Sequence, residues 1–193
     1  MRKTLIAATL LATPFFAQAA VTGGLDLQYV HPSLKLSVSG DSDKDTGVGL
    51  GLGGYVKFGN GIYIRGDLDA QKFSDYAGSD GDDIIVANER ISVGYAGKLS
   101  TKMPVTLHGE LGLEANKTDF ETDGDTMLTL DGIGAALEIG AEIEVAPKIS
   151  LLADVGYAKL KGDFEVSGGS GDNEIDNLKL KIGARYQISN LIA

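Results

Sequence analysis

Residues 105–115, VTLHGELGLEA, decide the fold of this chain. Their odd positions carry Val, Leu, Gly, Leu, Leu and Ala, whereas their even positions carry Thr, His, Glu, Gly and Glu. Because a β-strand points successive side chains to opposite faces, the segment has one apolar and one charged face over about ten residues. A tilted strand of about that length crosses a bilayer. A helix would scatter the apolar side chains around its axis, so the pattern predicts a membrane-crossing strand.

Seven further segments show the same alternation, so eight strands are predicted. They are residues 24–38, 47–58, 62–71, 84–99, 105–115, 126–145, 149–160 and 175–188. Short turns at Asn60, Thr101 and Pro147 alternate with longer polar loops around residues 43, 80, 123 and 170. Asn60-Gly61 is a tight-hairpin signal. Short turns at one end and long loops at the other are typical of an outer-membrane barrel. We therefore predict an all-β fold, an eight-stranded antiparallel up-and-down transmembrane β-barrel with both termini in the periplasm.

In two of these strands the apolar side chains change parity part-way along. In the first strand the change falls at His31-Pro32-Ser33, and in the sixth it falls near residues 131–134. One extra residue in a strand reverses the faces beyond it, so we expect a β-bulge or a break at both places.

Alternation alone does not say which face lines the interior. A soluble lipocalin-like carrier would turn its apolar face inward, and it remains an alternative. The membrane barrel is favoured because acids and bases on the polar face can pair across a narrow lumen, where Gly leaves room for long side chains. This interpretation predicts a lumen network that plugs the barrel: Arg65, Asp67, Asp69, Arg90, His108, Glu110, Glu114, Glu138, Glu142, Asp154, Lys179, Lys181 and Arg185.

The composition limits the remaining classes. The chain has 193 residues, which favours one domain, and it has no cysteine for disulfide or thiolate chemistry. Its formal net charge of −10 argues against nucleic acid as a partner. Arg2 and Lys3, an apolar core at residues 5–16 and Ala17-Gln18-Ala19 predict a cleaved signal peptide at residues 1–19, followed by a barrel domain at residues 20–193. No later apolar run reaches the ~18 residues of a spanning helix.

The chain resembles the small eight-stranded outer-membrane barrels that include the opacity proteins, neisserial surface protein A and the OmpX/Ail group. The resemblance is carried by PVTLHGELGLEAN at residues 104–116, GIGAALEIGAEIEVAPKISLLADVGYAKLKG at 132–162 and LKLKIGARYQI at 178–188. It implies that Gly183, Tyr186 and Ile188 belong to a terminal signal read by the barrel-assembly machinery. The chain departs from the family pattern because it runs on through residues 189–193 instead of ending on an aromatic residue.

Other candidate sites are less specific. His31 and Ser33 resemble the His-x-Ser pair of lipid A deacylases, and alternation puts both on one face, as a base and a nucleophile require. His108 is interpreted as a paired lumen residue beside Glu110. Acidic loop residues offer weak divalent-metal candidates: Asp41, Asp43, Asp45, Asp119, Asp123 and Asp125. The Asp41 series lacks the Gly and Glu that a calcium loop needs at its sixth and twelfth positions.

The sequence thus predicts a non-enzymatic protein of the cell outer membrane. It would contribute to envelope integrity or to surface interaction through four acidic loops. We expect no cofactor, a monomer, and contact with outer-membrane lipid and lipopolysaccharide, with an external ligand as a further partner. An adhesin for host or matrix molecules, a lipid A-modifying enzyme using His31 and Ser33, and a small porin stay open as alternatives.

Overall fold

The computed structural model describes residues 21–38, 41–74, 83–99, 104–122, 125–166 and 169–192. These residues form one antiparallel sheet of nine strands. The strands are β1 (Val21–Val38), β2 (Asp41–Thr46), β3 (Val48–Lys57), β4 (Ile62–Ser74), β5 (Asp83–Lys98), β6 (Val105–Thr122), β7 (Asp125–Ala146), β8 (Ile149–Val166) and β9 (Gly169–Ile192). Each strand pairs with its neighbour in sequence order, except that β1 pairs with both β2 and β3. Pairing of β1 with β9 closes the sheet into a barrel.

The strands β2 and β3 lie end to end and together occupy one strand position of this barrel. Both pair with β1 in a single register, in which Ser33 faces Thr46 and Val30 faces Gly49. Between them the N–H of Gly47 donates to the Pro32 carbonyl oxygen at 3.0 Å. The barrel therefore has eight strand positions, and the predicted fold class is confirmed.

The register fixes the shape of the barrel. Following cross-strand partners once around from Leu25 leads to Lys35, ten residues further along the same strand. For eight strands, a shear of ten residues corresponds to a strand tilt of about 40° and a backbone radius of about 8 Å. Side chains alone can fill an interior of this width.

The two ends of the barrel differ in their connections. At one end, β3 and β4 meet in the predicted Asn60-Gly61 turn, where Gly61 has a φ of +91° and the Asn60 side chain accepts the N–H of Ile62 at 3.0 Å. Pro147 and Lys148 form the other short turn that the structure describes, while the turn predicted around Thr101 lies outside the described residues.

At the opposite end, most of the predicted loops are paired strand. Residues 41–46 form β2, and the segment 117–125 belongs to β6 and β7 apart from residues 123–124, which lie outside the described residues. The Gly-rich segment 169–173 is the start of β9. Prediction of these segments as loops was wrong, because backbone pairing continues beyond the apolar part of the barrel even where the side chains are polar. The loop predicted around residue 80 lies largely outside the described residues.

The two predicted bulges are absent from the register of the described strands. β1 pairs with β9 without a shift from Gly23 to Val38, and β6 pairs with β7 without a shift across residues 131–134. The apolar side chains change faces for another reason. Leu34 is buried inside the barrel while Lys35 is exposed outside it, so the inner face turns apolar where the outer face turns polar.

No helix among the residues that the structure describes is long and apolar enough to cross a membrane.

Candidate functional site

The interior of the barrel holds a network of buried charges centred on Glu138. This residue has no exposed surface, and its Oε2 accepts from Arg90 at 2.8 Å and from Lys181 at 2.6 Å. The Arg65 guanidinium lies 4.0 Å from Oε1. Burial removes water from these charges, so each depends on its protein partners for compensation. Asp67 adds a second counter-ion, because its two oxygens accept from Arg65 at 2.7 Å and from Arg90 at 2.9 Å.

The network continues toward the short-turn end of the barrel. Arg185 donates to Asp26 at 2.6 and 3.0 Å and to Glu142 at 2.7 Å. Its guanidinium also lies 4.4 Å from the centre of the Tyr55 ring, within the range of a cation–π contact. Asp26 additionally binds Arg65 at 3.0 Å, so this acid links the part of the network near the short-turn end to the part around Glu138.

Toward the other end, charges give way to amides. Lys179 binds both Asp69 and Glu114 at 3.0 Å. Asn88 donates to the second Asp69 oxygen at 2.9 Å, and Gln71 donates to the same oxygen. These contacts tie four different strands together across the lumen.

All thirteen residues proposed for the lumen point inward, and twelve of them are buried, with Glu142 half-buried. Sequence analysis missed several further members of the same interior: Asp26, Gln28, Gln71, Asn88, Asn116 and Asn177. An inward position for Asp26 could have been predicted, since it alternates with the outward Leu25 and Leu27. The amides gave no signal beyond their parity.

Glycines on the inner face provide the space that these side chains need. A Cβ at Gly53 would lie 2.5 Å from Asp67 Oδ1 and 3.0 Å from an Arg65 nitrogen. A Cβ at Gly156 would lie 3.1 Å from Glu138 Oε2. In a barrel only about 8 Å in radius, long charged side chains fit because the residues opposite them have none.

An apolar cap closes the interior at the long-hairpin end. Its members share an inward position and nearly complete burial: Leu34, Phe73, Ile84, Val86, Ala136, Ala158, Leu160 and Ile175. No sequence prediction included this cap. The cap and the charged network together occupy the described part of the lumen.

The outer face carries a band of apolar side chains, which the exposed Glu89 interrupts on β5. On β6 the outward side chains run from Leu107 to Ala115, and Lys117 is the first charged one. Nine residues at about 3.3 Å each, tilted by about 40°, span roughly 23 Å, close to the height of the apolar band in transmembrane barrels. Outward Leu111 is 69% exposed and Ile182 68%, as expected for side chains that face lipid.

The comparisons with known proteins agree with this geometry. The model of the outer membrane protein beta-barrel domain matches residues 4–187. The chain belongs to this family. It therefore lies in the outer membrane of a Gram-negative bacterium, surrounded by outer-membrane lipid and lipopolysaccharide.

Solved structures show the same fold at low sequence identity. Neisserial surface protein A matches with a TM-score of 0.60 and 18% identity, over 84% of this chain and 96% of that chain. OprG from Pseudomonas aeruginosa matches with a TM-score of 0.57 and 16% identity, over 89% and 97%. The attachment invasion locus protein Ail of Yersinia pestis matches with a TM-score of 0.54 and 17% identity, over 86% and 99%. No curated protein sequence matches the chain.

The outer-membrane barrel carries its apolar face outward, so the lipocalin-like alternative was wrong. A lipocalin needs an apolar interior along the whole barrel, whereas here seven carboxylates and five basic side chains are buried inside, counting only the described residues. The short-turn end faces the periplasm by the general rule for such barrels, and the long hairpins face the outside.

His31 and Ser33 lie on the lipid-facing side of β1, with Leu180 and Leu178 as their partners on β9. Pro32 between them points inward and leaves the strand continuous. The pair therefore shares a face, as alternation predicts, but its β9 partners are leucines and the β2 partner of Ser33 is Thr46, so none of these partners supplies an acid to orient the imidazole.

The acidic metal candidates are arranged along strands. Asp41, Asp43 and Asp45 lie along the extended strand β2, whereas a calcium loop wraps its ligands around the ion. One Asp45 oxygen accepts the N–H of Thr46 at 2.6 Å. Asp119 lies in β6 and Asp125 begins β7, while Asp123 lies outside the described residues.

The proposed assembly signal occupies β9. Tyr186 and Ile188 face outward near the periplasmic end, and Gly183 faces inward. A Cβ at Gly183 would lie 2.5 Å from the Leu27 carbonyl oxygen and 2.7 Å from Gln28 Cγ, so Gly183 allows β9 to close against β1.

Proposed function

We propose that the chain is a non-enzymatic surface protein that contributes to envelope integrity by holding lipopolysaccharide around a plugged barrel. The filled lumen supports this proposal because it leaves the outer surface and the outer hairpins as the parts that can interact. The buried Arg and Lys side chains that the structure describes form ion pairs with buried carboxylates, so they stabilise the barrel rather than bind a transported solute.

The observation that carries the proposal is a band of lysines on the outer face. Five outward, exposed lysines lie where the apolar band ends at the outer side: Lys35, Lys72, Lys117, Lys159 and Lys161. At the outer end of the apolar band they would lie near the phosphates of lipopolysaccharide, which a lysine ammonium can bind as a point charge. Acids lie among them, and Lys159 binds Glu174 at 2.5 Å. Such alternation suits a headgroup layer in which phosphates and divalent ions alternate as well.

The test replaces Lys72, Lys117, Lys159 and Lys161 by Gln. A matched control replaces Lys98 and Lys148, which are exposed at the periplasmic end. Urea unfolding is measured in vesicles with and without lipopolysaccharide in the bilayer. We expect lipopolysaccharide to stabilise the wild type and the control but not the four-lysine variant. Equal stabilisation of all three proteins would refute the proposal.

We also propose that β9 is read by the barrel-assembly machinery and that the folded protein is a monomer. Tyr186→Ala should reduce the folded fraction in the outer membrane, whereas Tyr95→Ala, at an outward position near the same end, should reduce it less. Folded and unfolded forms are distinguished by their mobility on gels of unheated samples.

A further inference from the structure

Three potential metal ligands lie close together in the half of the lumen nearer the short-turn end. His108 lies on β6, Glu138 on β7 and Asp154 on β8, so three successive strands each supply one side chain. One ligand atom from each residue lies within 4.8 Å of the other two. All three side chains are more than nine-tenths buried.

Several atoms of this group that could bind a metal ion make no hydrogen bond. His108 Nε2 lies 2.9 Å from Asp154 Oδ1, yet neither atom makes a hydrogen bond, and His108 Nδ1 makes none either. The second Asp154 oxygen is occupied by Gln28 at 3.0 Å, which holds the carboxylate in place. Two ligands bound tetrahedrally at about 2.1 Å to one ion lie roughly 3.4 Å apart, so Nε2 and Oδ1, at 2.9 Å, need to separate by only about half an ångström to share a cation.

Glu138 also keeps one oxygen available. Its Oε2 carries Arg90 and Lys181, but its Oε1 has no hydrogen-bond partner and lies 4.0 Å from the nearest Arg65 nitrogen. The carboxylate therefore has ligand capacity left after its ion pairs are formed.

Gly140 preserves the space around this group. It lies on β7 opposite both His108 and Asp154. A Cβ at this position would overlap Asp154 Oδ1 and would lie 2.7 Å from His108 Nε2. The absence of a side chain is what lets the imidazole and the carboxylate meet.

The charge of the interior favours a cation. Among the described side chains, the buried ones include seven carboxylates and five Arg or Lys residues. This excess of buried negative charge favours a cation over an anion in the lumen.

We propose that His108, Asp154 and Glu138 bind one divalent transition-metal cation inside the barrel. An imidazole nitrogen with two carboxylates is a donor set suited to Zn²⁺ and disfavoured by Mg²⁺ and Ca²⁺, which prefer oxygen ligands alone. The bound ion would cross-link β6, β7 and β8 and reduce the excess of buried negative charge.

The chain has two histidines, which provides a matched control. His108→Gln removes the proposed nitrogen ligand, whereas His31→Gln removes the lipid-facing one. Folded protein in detergent is loaded with Zn²⁺, dialysed against buffer containing Mg²⁺, and analysed for bound metal by mass spectrometry. Visible absorption after loading with Co²⁺ reports whether a nitrogen ligand is bound. Far-UV circular dichroism and gel mobility confirm that each variant is folded.

We expect about one Zn²⁺ per chain in the wild type and in His31→Gln, and less than about a tenth of that in His108→Gln. Asp154→Asn should weaken binding by roughly 10-fold or more, and it tests the site should His108→Gln fail to fold. Equal zinc in the wild type and both folded ligand variants would assign the metal to surface acids and overturn the proposal. Absence of zinc from the folded wild type would overturn it as well.

Discussion

Replacing Glu138 by Gln should be the most destabilising conservative change in the lumen. Glu138 is fully buried, and its Oε2 accepts charge-assisted hydrogen bonds from Arg90 at 2.8 Å and Lys181 at 2.6 Å. Each such bond contributes about 1.5–3 kcal/mol, and removing one partner of a buried ion pair costs about 3–5 kcal/mol because the other charge is left uncompensated. We therefore expect Glu138→Gln to lower the free energy of unfolding by about 3–5 kcal/mol.

Glutamine substitutions at two other glutamates give reference values for the loss of stability expected of Glu138→Gln. Glu114 binds Lys179, which keeps Asp69 as a second partner at 3.0 Å, so Glu114→Gln should cost only about 1.5–3 kcal/mol. Glu144 is exposed near the periplasmic turn, and Glu144→Gln should change stability by less than about 0.5 kcal/mol.

The assay is urea unfolding of protein folded into lipid vesicles. Because the chain has no Trp, unfolding is followed by far-UV circular dichroism and by gel mobility rather than by indole fluorescence. The free energy of unfolding should fall much more for Glu138→Gln than for Glu144→Gln. If the two losses lie within about 1 kcal/mol of each other, the buried charges do not act as a network.

The same assay tests three other features. Leu111→Arg places a charge in the middle of the lipid-facing band and should cost about 2–4 kcal/mol in a bilayer. Gly140→Ala should cost about 1–3 kcal/mol because the methyl group would overlap Asp154, whereas Gly109→Ala, whose methyl group would meet its nearest atoms at 3.8 Å, should cost less. Phe73→Ala should cost about 3–5 kcal/mol by leaving a cavity in the apolar cap. A loss of unfolding free energy below about 0.5 kcal/mol for Leu111→Arg, Gly140→Ala or Phe73→Ala would contradict the placement of that residue.

Much of the fold could be predicted because period-two alternation is a local property. The stretch around Leu111 and Glu110 already separates a lipid-facing side from a lumen side, and the Asn60-Gly61 turn fixes the neighbouring register. The partners of the lumen charges could not be predicted, because pairs such as Arg185 and Asp26 depend on how the closed barrel staggers its strands.

The error at Leu34 has a physical cause. Beyond the apolar band the outside of the barrel meets water, and the inside becomes the place to bury apolar side chains. The reversal of parity that was predicted to be a bulge is therefore the sign that β1 has left the bilayer. Taken that way, the sequence would have indicated an inner position for Leu34 and with it the apolar cap.

The central claim is that side chains fill this barrel from the charged network to the apolar cap. Conductance across a planar bilayer tests it most directly, with folded protein compared against a boiled sample at the same concentration. If side chains fill the lumen, the folded protein gives no stepwise current above that of the boiled control. Reproducible, long-lived current steps from the folded wild type would show an open path through the lumen and would refute a filled interior.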